Sequence, residues 1–133
     1  MQVLAMMLEE FDTKKHREGS MGAWAMAAWD NDGAADWFGE MFDTTGLAKY
    51  VEETLERDTE EFHEEIRAAA FMLVALGRVY IWPIDDLDNH LALAISKLEE
   101  IKALEIYQEV PDYVKAIDEE IAVMTLRLKI PDD

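Results

Sequence analysis

The sequence predicts an all-α fold: a single compact bundle of five or six helices, with an extended, Trp-rich segment leading into it. Apolar residues recur at spacings of three and four in every long segment, which is the 3.6-residue period of an α-helix. β-branched and aromatic residues cluster in residues 78–83, and six isolated residues cannot form a sheet alone. The chain has 133 residues, which is the size of one domain.

The first two predicted helices follow an Asp- and Asn-rich turn. Asn31 and Asp32 are candidate caps for the first helix. Its apolar side chains fit the i, i+3, i+4, i+7, i+8 pattern at Ala34, Trp37, Phe38, Met41 and Phe42. A Thr-Thr-Gly break ends that helix, and the second one carries apolar side chains at Leu47, Tyr50, Val51 and Leu55.

The third helix is predicted to begin at Asp58, because Glu61 three residues later completes a pattern similar to a capping box. It extends to about Gly77, since glycine is typical of the position that follows a helix. Residues 78–83 are then expected to form an extended connection that packs on the core.

The remaining helices are predicted from caps and apolar spacing. Asp85, Asp86 or Asp88 is expected to cap the fourth helix, whose apolar side chains are Leu87, Leu91, Ala94, Ile95, Leu98 and Ile101. Pro111 suits the first turn of the last helix, whose apolar side chains are Tyr113, Ile117, Ile121, Met124 and Leu128. A further helix is predicted at residues 3–11.

Glu9 and Glu10 interrupt the first apolar run, so we do not expect a signal peptide. The apolar stretch at 68–77 has half the length needed to span a bilayer. We therefore expect a soluble, cytoplasmic protein with no membrane partner.

The charge balance excludes one class of partner. Acidic residues outnumber Lys and Arg by 30 to 12, which gives a formal net charge of −18. Such a chain is repelled by a phosphate backbone, so we expect no nucleic-acid partner. Half of the residues are apolar, which is too many for a disordered acidic tail. The absence of Cys excludes disulfides and thiolate chemistry.

Three tryptophans and an Asp-Asn-Asp-Gly turn fall within residues 22–42. The pattern resembles the N-terminus of the bacterial domain-of-unknown-function 4259 family, which begins Met-Gly-x-Trp-Gly and continues into an aromatic-Asp-Asn-Asp motif and an Asp-Trp-Leu-like helix. The matching residues are Met21, Gly22, Trp24, Trp29, Asp30, Asn31, Asp32, Ala35, Asp36, Trp37 and Gly39. Ala25 and Ala27 depart from the pattern, because the family usually has Gly there. The resemblance implies a small helical domain and supplies no activity. It also places Met21 where members of the family begin, which implies an N-terminal extension with a short helix, residues 1–20, before a single helical domain, residues 21–133.

The acidic turn of this motif has the composition of a calcium-binding loop. With Asp30 in loop position 1, however, the bidentate Glu falls on Met41, so we interpret the turn as a cap of the following helix. The motif residues predicted to be structural are Gly22, Trp24, Trp29, Asp30, Asn31, Asp32 and Trp37. We interpret the tryptophans as core side chains, with a ligand pocket as the alternative.

Glu60 and His63 form one Glu-x-x-His pair, which a helix places on one face as in di-iron bundles. Those sites need a second such pair and two further Glu, and the sequence supplies one pair only. The zinc-protease motif also fails, because its second His falls on Arg67. The sequence therefore predicts no catalytic residue, no metal site and no cofactor.

Eight acidic residues fall within the fourteen positions 52–65, where Arg57 is the only Lys or Arg. Like charges at i, i+4 cost a few tenths of a kcal/mol each. The run is interpreted as a solvated helix face, or as a docking face for a basic protein. The residues assigned to the partner face are Glu52, Glu53, Glu56, Glu60, Glu61, Glu64 and Glu65.

The leading functional hypothesis is a non-enzymatic protein-interaction module, whose acidic face meets a basic protein in the manner of small helical immunity or antitoxin proteins. The alternative is a small enzyme or ligand-binding domain that uses the Trp-rich segment with Glu60 and His63. The sequence leaves the partner, the oligomeric state and any catalytic activity open.

Overall fold

The computed structural model describes residues 27–128, and that part of the chain contains six helices and no strand. The helices are α1 (Asp32–Thr45), α2 (Leu47–Leu55), α3 (Thr59–Leu76), α4 (Ile84–Lys102), α5 (Glu105–Gln108) and α6 (Pro111–Leu128). The predicted all-α bundle is therefore confirmed. The helix predicted at 3–11 lies outside the described residues.

Helix α4 lies at the centre of the bundle. It packs against α3 and α6 most extensively and also contacts α2 and α5, whereas α1 contacts only α2 among the described helices. Fully buried apolar side chains from α2, α3, α4 and α6 meet there: Leu55, Ile66, Leu73, Leu91, Leu98, Ile101, Ile117 and Met124. Each such side chain contributes about 1.5–3 kcal/mol, so this contact supplies most of the stability of the fold.

The predicted caps of α1 and α3 are confirmed. The Ala34 N–H donates to Oδ1 of Asn31 at 2.7 Å, and the Glu61 N–H donates to Oδ2 of Asp58 at 3.0 Å. Each bond satisfies one of the amide groups that the first turn of a helix leaves without a partner. The two helices therefore begin where the local sequence places them.

The predicted cap of α4 is wrong. This helix begins at Ile84, directly after Pro83, and it has no side-chain cap. Asp85 and Asp86 lie inside its first turn, too far along the helix to act as caps. Their carboxylates instead face the positive end of the helix dipole, which still favours this position for acids.

Two glycines end helices for different reasons. Gly46, with φ of 65°, takes the left-handed conformation between α1 and α2, and its N–H donates to the Phe42 carbonyl at 3.0 Å. Gly77 ends α3 as predicted, but its φ is −80°. A Cβ at Gly77 would collide with the Leu73 carbonyl oxygen, so the close approach of the backbone requires glycine there.

Residues 78–83 pack on the core as predicted, but they are not extended. The N–H groups of Ile81 and Trp82 both donate to the Arg78 carbonyl, at 3.1 and 3.0 Å, and so form a tight turn. Both side chains are buried, and the Trp82 ring lies 4.9 Å from the Phe42 ring. The turn forms because two consecutive bulky side chains must both enter the core within a short link.

The four-residue helix α5 was not predicted, because it is too short to show a period. It places the Tyr107 side chain in the core between α4 and α6. In the part of the chain that the structure describes, no helix is long and apolar enough to cross a bilayer.

Candidate functional site

The acidic run occupies the end of α2, the following loop and the first half of α3. These two helices pack against each other, and α3 turns Thr59, Ile66 and Ala69 inward. The four carboxylates between Thr59 and Ile66 are left outward and exposed. Together with the exposed carboxylates of Glu53 on α2 and Glu56 in the loop, they form what we call the acidic surface: Glu53, Glu56, Glu60, Glu61, Glu64 and Glu65.

The other two acids of the run have contacts within the chain. Asp58 caps α3. Glu52 is half-buried, and its Oε2 lies 3.4 Å from Nε2 of the buried His90 on α4. The structure therefore places Glu52 at the edge of the core and not among the outward carboxylates.

Two of the cations near this surface, Arg57 and Arg67, are engaged elsewhere. Arg67 holds Glu120 through Nε to Oε1 at 3.3 Å and Nη2 to Oε2 at 3.0 Å. The Arg57 guanidinium lies 5.3 Å from the centre of the Phe62 ring, and Lys97 donates to the Arg57 carbonyl at 2.9 Å. Within residues 27–128, no salt bridge reaches the acidic surface.

The charges of the acidic surface reinforce one another. Glu60 and Glu64, and likewise Glu61 and Glu65, stand at i, i+4 in α3, across an interruption of the regular helix at Phe62, whose φ is −117° and ψ is 29°. Charges four residues apart lie within about one Debye length of each other, which is about 8 Å at physiological salt, so solvent ions screen them only in part. The surface therefore concentrates negative potential that a cationic molecule can reach.

The described part of the Trp-rich motif forms the turn before α1. The Asp30 N–H donates to the Ala27 carbonyl at 3.0 Å, Asn31 caps the helix, and Asp32 is its first residue. Trp29 is half-buried, with the Arg78 guanidinium 4.7 Å from its ring centre. These contacts hold the turn against α1 and Arg78, and the described part of the segment is a turn rather than extended. Gly22 and Trp24 lie outside the described residues.

The prediction that Trp37 is a core side chain is wrong. Its side chain is 60% exposed, and its ring meets the edge of Phe38 at 5.3 Å between ring centres. Phe42 is the fully buried residue of α1. The reason is the position of α1 at the margin of the bundle, where α2 is the one described helix that it contacts.

His63 lies in an aromatic cluster. Its Nδ1 is 2.8 Å from the Tyr107 hydroxyl, and the two rings meet edge to face at 5.3 Å. Burial raises the pKa of Tyr107; Arg67 opposes this shift and Glu64 adds to it. Glu60, the other half of the Glu-x-x-His pair, is exposed and has no contact in this cluster. Among the described residues, no group of three His, Asp or Glu side chains is placed to hold a metal ion.

Sequence reasoning missed several buried polar side chains. Glu120 lies between Ile117 and Met124 on the inward side of α6, and His90 lies between Leu87 and Leu91 on α4. A polar residue at an apolar position of a helix pattern is the signal that was available, because burial demands a partner. The sequence pattern does not show which residue that partner is.

No family model, no curated protein and no solved structure matches this chain. The resemblance of the Trp-rich motif to the domain-of-unknown-function 4259 family therefore stays a prediction. Fold and surface together define a small all-α domain with a concentrated acidic surface. That surface is the candidate functional site.

Proposed function

We propose that this protein is a non-enzymatic interaction module whose acidic surface binds a basic protein, as an immunity or antitoxin-like protein of the bacterial cytoplasm. The observation that carries the proposal is the set of six exposed carboxylates on α2 and α3, which have no cation partner among the described residues. A basic partner supplies the positive charges that this surface lacks.

Several cations of the chain hold helices together. Lys102 lies 3.1 Å from Glu99 and 2.7 Å from Asp118, which joins α4 to α6. Arg67 joins α3 to α6 through Glu120. The acids of the acidic surface therefore lack cation partners because these cations lie between other helices, and not only because the chain has few cations. Such a surface raises association rates with a cationic partner and slows unwanted encounters with acidic ones.

Phosphate-bearing partners fit this surface poorly. A net charge of −18 repels nucleic acid, whose affinity for proteins depends on Lys and Arg contacts with phosphates. The same repulsion applies to anionic lipid headgroups. The charge of the chain therefore favours a protein partner whose contact surface is rich in Lys and Arg.

The alternative of a small enzyme or ligand-binding domain has less support. Its tryptophan pocket needs Trp37, which is exposed at the margin of the bundle. Its Glu-x-x-His pair needs Glu60 beside His63, whereas His63 is engaged with Tyr107 and Glu60 faces solvent. No observation in the described residues brings these groups together.

The test is co-expression with the proteins encoded by neighbouring genes, followed by rapid-mixing measurement of association. A variant with Glu53, Glu56, Glu60 and Glu64 changed to Lys should associate at least about tenfold more slowly at low salt, with a much smaller change in dissociation. Raised salt should slow wild-type association in the same way. The matched control reverses four exposed acids elsewhere, Glu40, Asp43, Asp88 and Glu109, and so changes the net charge equally.

The control variant should lose far less of the association rate, because its substitutions lie away from the acidic surface. Circular dichroism should show that both variants keep their helix content. The proposal is refuted if the partner is acidic or neutral at its contact surface. It is refuted equally if both variants associate at the same rate.

A further inference from the structure

Three side chains from different parts of the chain meet in the core beside α4. Trp82 comes from the turn at 78–83, His90 from α4 and Glu52 from α2. The Trp82 indole Nε1–H donates to Nδ1 of His90 at 3.0 Å. On the other side of the ring, Nε2 of His90 lies 3.4 Å from Oε2 of Glu52. The imidazole therefore lies between an indole and a carboxylate.

This arrangement determines the tautomer of His90. An indole N–H is only ever a donor, so the Nδ1 that receives it must offer a lone pair. The ring proton of the neutral imidazole must then sit on Nε2, which faces Glu52. Hydrogen bonding alone leads to this assignment, because the alternative tautomer places two N–H groups against each other.

Proton uptake by His90 is therefore coupled to movement. A second proton has to enter at Nδ1, where the Trp82 N–H already points. His90 is 3% exposed and Trp82 is 2% exposed, so water does not reach the site to accept either proton. Two facing donors without an acceptor are costly in such a place, and one of the rings must turn or withdraw.

Among the groups around the His90 imidazole, the Trp82 indole is the one that can move. From α2, Glu52 is the charged group that faces the imidazole, and it lies at the far nitrogen. From α1, Phe42 packs on the Trp82 ring and carries no ionisable group. On α4 itself, Asp86 stands one turn earlier and is exposed. His90 is fixed on a central helix, whereas Trp82 belongs to a short turn.

We propose that Trp82, His90 and Glu52 form a pH-sensitive latch, in which protonation of His90 releases the Trp82 indole and loosens the turn between α3 and α4. The latch is independent of any partner at the acidic surface. It gives the fold a response to acidification.

The test is a nuclear magnetic resonance titration of the full chain from about pH 8 to about pH 5. The imidazole nitrogens of the three histidines and the indole N–H signals of the four tryptophans are followed together. At the upper pH, Nδ1 of His90 should be unprotonated and Nε2 protonated. On acidification, the Trp82 indole signal should change with the same midpoint as His90.

Two variants separate this coupling from general effects of pH. His90→Asn keeps an amide oxygen at the position of Nδ1 that can accept the indole N–H but does not titrate, so the Trp82 signal should lose its pH-dependent step. The matched control, His63→Gln, removes a histidine that contacts Tyr107 and should leave the step unchanged. If His90→Asn fails to fold, Trp82→Phe serves instead and should raise the pH at which His90 takes up its second proton, because it removes the opposing donor.

Three results would overturn the proposal. The Trp82 signal could stay constant while His90 takes up a proton, which would show that the two events are not coupled. His90 could remain unprotonated until the whole protein unfolds, which would leave no latch in the folded state. The His90 midpoint could also stay in place in Trp82→Phe, which would show that the indole does not oppose protonation.

Discussion

The acidic surface and the contact between α3 and α6 use the same residue types in opposite ways. On the acidic surface, six carboxylates face solvent with no cation partner among the described residues. In the contact between α3 and α6, the 4%-exposed Glu120 holds Arg67, and Arg127 donates to the carbonyls of Leu73 and Gly77. Paired charges thus join helices that are distant in sequence, whereas the solvated ones remain available to another molecule.

The effect of a charged side chain on the free energy of unfolding differs by about tenfold between these two regions. Breaking a buried ion pair costs about 3–5 kcal/mol, because the remaining charge is left without compensation. Repulsion between exposed acids at i, i+4 costs only a few tenths of a kcal/mol. The protein can therefore keep its acidic surface at little expense in stability, but it cannot lose one partner of the ion pair between α3 and α6 without a large loss of stability.

The largest effect is expected for Glu120→Ala. The substitution leaves the Arg67 guanidinium, whose side chain is 20% exposed, without its carboxylate. We expect a loss of about 3 kcal/mol in the free energy of unfolding, measured by urea denaturation, at the lower end of the range for buried pairs because Arg67 is partly solvated. The matched control is Glu61→Ala on the acidic surface, which should change stability by less than about 0.5 kcal/mol.

The double variant Arg67→Met with Glu120→Met sharpens this prediction. It removes both charges and keeps comparable volume, so it should recover much of the stability lost in Glu120→Ala. Equal losses in Glu120→Ala and Glu61→Ala would contradict the comparison between the two regions.

Arg127→Ala is expected to cost about 2 kcal/mol. Arg127 donates to the Leu73 carbonyl at 2.7 Å and to the Gly77 carbonyl at 3.4 Å, which satisfies backbone oxygens at the end of α3. Burial and the nearby Arg78 lower the pKa of Arg127 to about 10, so the side chain still carries its charge at neutral pH. Thermal unfolding measures the loss, with the exposed Lys115→Ala on the same helix as control. A loss no greater than that of the control would show that Arg127 does not cap α3.

Tyr107→Phe is expected to cost about 1 kcal/mol at neutral pH, through loss of the contact with His63. Because burial raises the pKa of Tyr107, the hydroxyl of the unfolded chain loses its proton first as the pH rises. This group therefore stabilises the fold below about pH 10 and loses that contribution as the pH rises further.

Urea denaturation between about pH 9 and about pH 11 tests this dependence. The alkaline loss of stability should be smaller in Tyr107→Phe than in wild type. The exposed Tyr50→Phe provides the control and should follow the wild-type curve. Parallel curves for all three proteins would contradict the expected role of Tyr107.

The smallest effect is expected on the acidic surface itself. Replacing Glu60 and Glu64 together by Gln should stabilise the fold by a few tenths of a kcal/mol, because it removes a like-charge pair at i, i+4. The gain should disappear near 1 M salt, where the Debye length falls to about 3 Å. A loss of stability in this variant would mean that these carboxylates hold the fold together after all.

Most of the fold was predictable because helix formation is largely local. The caps at Asn31 and Asp58 depend on an amide three residues away, and both predictions are confirmed. The long helices α3, α4 and α6 follow from apolar spacing. Helix α5 is too short to show a period, and the start of α4 depends on the backbone at Pro83 and not on the acids after it.

The candidate site was only partly predictable. The pattern indicated that the acids of α2 and α3 lie on a solvated face, and six of them do. It could not indicate that Glu52 faces His90 on α4, because that contact depends on how α2 packs across another helix. Trp37 and Phe42 both fit the apolar pattern of α1, but only Phe42 meets Trp82 in the core.

The sequence by itself determined the helical content, the positions of two caps and the excess of acidic charge, since each depends on composition or on residues a few positions apart. Tertiary structure decided which polar side chains are buried and which partner each one has. Arg67 and Glu120 are 53 residues apart, and Arg127 and Leu73 are 54 apart. Contacts over such distances form only when helices pack, because burial then removes water and makes a specific partner necessary.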